Sequence, residues 1–136
     1  MIPIHKVVSS QSDSTRFYYT SSQGNSIKSN VLEEVDSPVI GQTVNVATVE
    51  TEPVDQILSS VEIDPEQIDF AILTVNGAEI DVLQGMEVTL GAGIHLAIAA
   101  PYSDGNEPYH QKIERFLKDA GYETVYENDA VYAIPP

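Results

Sequence analysis

The sequence predicts an α/β protein: a mostly parallel sheet flanked by helices and closed by a C-terminal antiparallel hairpin. Three observations lead there. Residues 70–75 are an almost continuous apolar run, which suits a strand covered on both faces, as in a parallel sheet. Residues 95–100 form a second such run, and apolar residues at helical spacing lie before, between and after the two. Alternating strands and helices argue for parallel strands joined by right-handed crossovers.

The elements follow in chain order. Residues 5–9 and 15–20 are rich in β-branched and aromatic residues and flank a polar stretch, Ser10-Gln-Ser-Asp-Ser14, so they read as a hairpin. Residues 21–30 are Ser, Gln, Gly and Asn with one Ile, a loop by composition. Residues 42–50 alternate apolar and polar, a strand carrying Val44, Val46 and Val49. Pro53 opens a helix, where the first turn has spare donors, and Val54, Ile57, Leu58 and Val61 form its apolar stripe. Residues 64–66 are a turn or a single helical turn.

After the run at 70–75, Ala78, Val82, Leu83, Met86 and Leu90 lie on one side of a helix. Asn76 stands at its N-cap and Glu79 three residues on, a capping box that satisfies two orphan backbone donors. Gly91 and Gly93 end it. A loop at 103–106 follows the second buried run. Tyr109, Ile113, Phe116, Leu117 and Ala120 mark the last helix, and Gly121 stops it. Residues 123–127 and 130–134, joined by Asn128-Asp129, read as the closing hairpin. The expected core is Phe70, Ile72, Leu73, Val82, Leu83, Met86, Leu96, Ile98, Ile113, Phe116 and Leu117.

A chain of 136 residues with 42% apolar content is one domain's worth and buries a real core. It has no cysteine, which removes disulfides, thiolate metal sites and cysteine nucleophiles. No apolar run approaches the ~18–20 residues that span a bilayer. The first residues lack a basic stretch followed by an apolar one. A cytoplasmic protein without a membrane partner is the expectation. Twenty-one acids face six bases, for a net charge of −15. Such a surface repels nucleic acid and anionic lipid. The acids are scattered, so they form no acidic tail. Either the acidity suits a saline, halophile cytoplasm, or it serves solubility alone.

The stretch Ile68-Asp-Phe-Ala-Ile-Leu-Thr-Val-Asn-Gly-Ala-Glu-Ile-Asp-Val-Leu-Gln-Gly-Met86 resembles the central motif of FkbM-type methyltransferases, which use S-adenosylmethionine. The family's pattern there is Lys-x-Asp-x-Glu-Gly-Ala-Glu. Ile72, Thr74 and Asn76 stand in place of the Lys, the Asp and the first Glu, while Gly77, Ala78 and Glu79 are kept. Residues 44–58 look like the family's strand and helix before the motif. Phe116-Leu-Lys-Asp-Ala-Gly-Tyr122 looks like its Phe-Leu-x-x-x-Gly-Tyr ending.

The resemblance covers nearly the whole chain. It implies a partial Rossmann-like, methyltransferase-type sheet and methyl transfer to an oxygen acceptor on a small molecule or sugar. Nothing before Val44 reads as strand, Gly-rich loop and helix. Gly91-Ala-Gly93 follows a helix and fails that context. The chain, 1–136, thus resembles the C-terminal part of such a domain. S-adenosylmethionine is its cofactor by resemblance, but is expected not to bind this chain alone.

Thr74 and Asn76 lie where a doubly wound sheet places its ligand, and they are the candidate cofactor-binding residues; their plain reading is a strand end and a helix cap. Glu79 is the retained acid of the motif and a candidate catalytic residue; capping explains it equally. His110 follows the loop after the second buried strand and is the candidate base; a solvated histidine at a helix start is the plain alternative. Tyr102, Asp104 and Tyr109 share that region as candidate pocket lining. His5, His95 and His110 have no metal-ligand spacing, so no metal is expected. No Gly-x-Ser-x-Gly and no Walker-type loop occurs, which removes serine-hydrolase and P-loop chemistry.

Two functions from different classes remain. One is a methyltransferase domain, inactive as an isolated chain. The other is a non-catalytic α/β module that pairs with another chain, in a homodimer or with an N-terminal partner half, through an open sheet edge.

Overall fold

The computed structural model describes residues 3–4, 6–20, 44–75, 77–101, 103–104 and 107–136. Within them the elements run β1 (Val7–Val8), β2 (Asp13–Thr20), β3 (Val44–Glu52), α1 (Val54–Ser60), a 3-10 turn (Pro65–Gln67), β4 (Phe70–Leu73), α2 (Glu79–Gln84), α3 (Glu87–Gly91), β5 (His95–Ala99), β6 (Ser103–Asp104), β7 (Glu107–Pro108), α4 (Tyr109–Asp119), β8 (Glu123–Glu127) and β9 (Ala130–Ile134). The loop expected at 21–30 lies outside the described residues, as do His5, Asn76 and Tyr102.

The alternation of strands and helices is present, but the sheets are mixed and not mostly parallel. One sheet has the order β1-β3-β2, a second β4-β5-β9-β8, and β6 and β7 pair by themselves. Only β1–β3 and β4–β5 are parallel among the described pairings. The central pair is as the apolar runs predict, with Phe70 opposite His95 and Leu73 opposite Ile98. Asn128 and Asp129 both adopt positive φ, the twist a two-residue hairpin needs, and β8 and β9 pair as the closing hairpin.

The N-terminal hairpin does not form. β1 and β2 each pair with β3, one on either side of it. The nine-residue β3 offers two edges of donors and acceptors, and both are used. Thr51, buried within it, donates its hydroxyl to the Gln11 carbonyl at 2.9 Å. It also accepts the Asp13 amide at 3.2 Å. With both edges occupied, β3 cannot join β4, so the strand–helix–strand unit expected over 42–75 divides between two sheets.

The helix expected from Asn76 to Leu90 is broken into α2 and α3 at Gly85 and Met86. A Cβ on Gly85 would land on the Ser9 carbonyl oxygen and on Pro53, so only glycine allows this approach. The Gly85 carbonyl instead accepts the Asp55 amide at 3.1 Å. Asp55 then caps α3 from α1. Its carboxylate accepts the amides of Val88 at 2.8 Å and Thr89 at 3.0 Å. A second bond across the two halves runs from the Ser9 hydroxyl to Asp81 at 2.6 Å, with the Ser10 hydroxyl to the same carboxylate at 2.9 Å.

The core lies between the four-stranded sheet and α2, α3 and α4. It holds Leu73, Leu96, Ile98 and Val131 from the strands, and Val82, Leu83, Met86, Leu90, Ile113 and Leu117 from the helices. Phe116 is only partly buried against it. Phe70 and Ile72, expected inside, are 51% and 70% exposed. They alternate with Ala71 and Leu73 and so point to the opposite face, over which no described helix lies. Val61 also leaves its expected stripe, because α1 ends at Ser60 and Val61 is its exposed C-cap. At the far end α4 stops at Gly121, φ 91°. The Tyr122 amide reaches back to the Leu117 carbonyl at 2.9 Å, a Schellman-type stop.

Candidate functional site

The site grows from the carboxyl end of β4, where an open α/β sheet places its ligand. Thr74 follows the strand and is exposed, and Val75 is half-buried. The chain then turns at Gly77, φ 100°, a left-handed conformation that favours glycine. Helix α2 starts only at Glu79, with Ala78 as its N-cap. The predicted box therefore shifts: Glu79 opens the helix and does not stand three residues inside it.

Its carboxylate still works as such a box does. It reaches back to accept the Gly77 amide at 3.0 Å. Glu79 has no exposed surface at all. An acid that is fully buried must be hydrogen-bonded to be tolerated, and the turn supplies that bond.

Tyr109, the first residue of α4, closes the turn from the other side. Its hydroxyl donates to the Gly77 carbonyl at 3.1 Å and accepts the Ile80 amide at 3.4 Å. Glu79 and Tyr109 thus meet on one glycine: Glu79 accepts its amide and Tyr109 donates to its carbonyl. Sequence reading placed Tyr109 near a pocket without this role. Periodicity gives no sign of it, because the partners lie 32 residues apart.

His110 is only one residue on, but it faces β8. Its ring stacks on Tyr126, centroids 3.6 Å apart and nearly parallel. Its Nδ1 is 2.8 Å from a Glu114 carboxylate oxygen. The other oxygen of Glu114 accepts the Thr124 hydroxyl at 3.1 Å and lies 3.8 Å from the Lys118 ammonium. Burial pushes the Glu114 carboxyl up, but the His110 and Thr124 hydrogen bonds and the neighbouring positive charges outweigh it, and the net shift is downward. Beside it the Tyr126 phenol is raised, first by desolvation and then by the Asp129 carboxylate that accepts its hydroxyl.

The structure therefore brings Glu79 and Tyr109 together at the strand end and engages His110 elsewhere, on β8. Asn76 lies outside the described residues. Asp104 falls in the small β6–β7 hairpin, which replaces the loop expected there. On β7, Glu107 receives a two-pronged contact from Arg115, 2.7 and 3.2 Å, at the surface. No group of three or more metal-ligating side chains occurs among the described residues, and none of their helices is long and apolar enough to cross a membrane.

Two cavities lie away from this turn. One, about 240 Å³, is polar and sits beside Ser9, Ser10 and Asp81. The other is an apolar groove of about 600 Å³ between Leu83, Leu90, Phe116 and Pro136. Neither is lined by Thr74, Glu79 or His110.

The family model described as "Methyltransferase FkbM domain" matches residues 2–124. No curated protein and no solved structure matches the chain.

Proposed function

Because this chain belongs to the FkbM methyltransferase family, we propose that it serves methyl transfer from S-adenosylmethionine to an oxygen acceptor on a small molecule or sugar. We further propose that it does so only when joined to a part that supplies the cofactor cradle. The observation that carries this is the strand end itself. Glu79, the acid kept from the family motif, spends its carboxylate on the Gly77 amide and is wholly buried.

The described residues do not by themselves fit the cofactor. A ribose or an amino-acid moiety needs charged or polar groups that face it. Of the described residues in the turn, Thr74 is the exposed polar one, and Glu79 points inward. In this reading Glu79 is a positioning residue that fixes the turn, together with Tyr109. Thr74 would offer a hydroxyl to whatever lies beyond β4. His110 is held by Glu114 and Tyr126, so use as a base requires that this stack open.

A second reading, an interaction module without catalysis, is favoured by β4. It is an edge strand in the order β4-β5-β9-β8, and edges recruit further strands. A homodimer or an N-terminal partner half would satisfy it.

Calorimetry with S-adenosylmethionine tests the proposal. The chain alone should show no binding in the micromolar range. Micromolar binding by the monomeric chain overturns the need for a second part. Binding restored by a polypeptide that carries the strand, Gly-rich loop and helix supports methyl transfer. A complex with such a polypeptide that still ignores the cofactor favours the interaction module.

A further inference from the structure

Among the described residues, the helices that pack on the four-stranded sheet lie on one face only. On the other face Phe70, Ile72, Val125, Tyr132 and Ile134 are between 45% and 70% exposed. They form one surface. Register places Ile72 beside Ala97, Ala97 beside Tyr132, and Tyr132 beside Val125, in an unbroken row across all four strands. A second row runs from Ala99 through Ala130 to Glu127, and Ile134 sits beside Glu123.

The relief of this face has a shape. His95, Ala97 and Ala99 of β5 and Ala130 of β9 line its middle, the exposed imidazole of His95 standing at the end beside Phe70. Large side chains stand on either side, Phe70 and Ile72 on β4, Tyr132 and Ile134 on β9. Two interstrand spacings separate β4 from β9, roughly 10 Å. That is about the width of an α-helix. The trough is five residues of β5 long, or about 17 Å, which about three helical turns would fill.

Charge selects among helices. Glu123 and Glu127 flank the trough on the β8 side, on the same face as Val125. The described cations lie elsewhere: Lys112, Arg115 and Lys118 on α4, which packs on the other face, and Lys6 and Arg16 around the first sheet. A second copy of this chain suits the surface poorly. It would bring together two chains of net charge −15 with no described lysine or arginine on the apposed faces.

We propose that the face of this sheet that no described helix covers docks an amphipathic helix of another polypeptide, with its apolar stripe over Ala97 and Lys or Arg along the flank above Glu123 and Glu127. This goes beyond the methyl-transfer reading and does not depend on it.

The probe is a fluorescein-labelled peptide of about 18 residues, long enough to hold a helix. It carries a Leu/Ala stripe with Lys on one flank. Fluorescence anisotropy at physiological salt should show saturable binding. Replacing the Lys flank by Glu should weaken it at least about tenfold. Ile72→Asp and Tyr132→Asp should each weaken it to a similar degree. Val88→Asp, at an exposed position of α3, should leave it unchanged. Glu123→Lys combined with Glu127→Lys should reverse the preference between the two peptides. Circular dichroism melts establish that each variant folds, and the two glutamates, being exposed, keep the test open if an Asp variant does not. The proposal is overturned if a scrambled peptide of equal charge binds as well, or if none of the face variants changes binding. It is equally overturned if ultracentrifugation finds a dimer that Ile72→Asp dissociates, since that assigns the face to a second copy. None of these outcomes bears on the calorimetry with S-adenosylmethionine.

Discussion

Asp55 holds Thr89 twice. One carboxylate oxygen accepts the Thr89 amide at 3.0 Å and its hydroxyl at 2.5 Å. Thr89 is 1% exposed, so water cannot replace Asp55 there. Without it two amides of the first turn of α3 and one buried hydroxyl lose their acceptor. Asp55→Ala should therefore cost about 2 kcal/mol or more, from a lost cap and a buried orphan together. Asp55→Asn should recover part of this. Urea unfolding measures both, and a loss below about 0.5 kcal/mol for the alanine variant would show that the cap does not form.

Glu79 and Tyr109 should behave as one unit, because both act on Gly77. Glu79→Ala leaves a buried amide without this acceptor and should cost about 1–3 kcal/mol. Tyr109→Phe removes one hydroxyl with two bonds and should cost about 0.5–1.5 kcal/mol. The double variant should depart from the sum. Melting curves that stay unchanged in both single variants would argue that these residues serve chemistry alone.

The two faces of the sheet should respond differently to truncation. Leu83 is fully buried between helix and strands, and Leu83→Ala should cost about 2–5 kcal/mol by opening a cavity. Ile72 is 70% exposed, and Ile72→Ala should stay within about 0.5 kcal/mol in the isolated chain. Similar losses at both positions would place a cover over the second face.

The Glu114 carboxyl is held below its ordinary value of 4.5, against the upward push of burial, by His110, Thr124 and Lys118. The folded state thus favours the charged form. Its contribution is complete above the unfolded value and is lost as pH falls through the folded one. Glu114→Gln should therefore destabilise most at neutral pH. The gap between the two proteins should narrow as pH drops below about 4.5. Unfolding midpoints taken across that range test it, and a gap that widens on acidification would reverse the sign.

Much of this molecule is determined by local pattern. The runs at 70–75 and 95–100 become adjacent parallel strands, as short apolar runs alternating with helices predict. The last helix ends where Gly121 supplies a left-handed residue, and Asn128-Asp129 turns the final hairpin because both residues tolerate positive φ. The fate of Phe70 and Ile72 was not legible. A strand that is apolar at every position does not say which of its faces is covered; that depends on where α2, α3 and α4 come to rest, and all three rest on one side. β3 is the same case. Its alternation marks a strand, but its partners β1 and β2 are chosen by long-range pairing, and their occupation of both edges keeps it out of the second sheet. The site divides in the same way. Gly77 and Glu79 stand out in the sequence because backbone geometry and helix starts use few residue types. Asp55 on α3 and Tyr109 on Gly77 do not, because a hydrogen bond between segments more than thirty residues apart leaves no periodicity, and only the packed chain brings its two ends together.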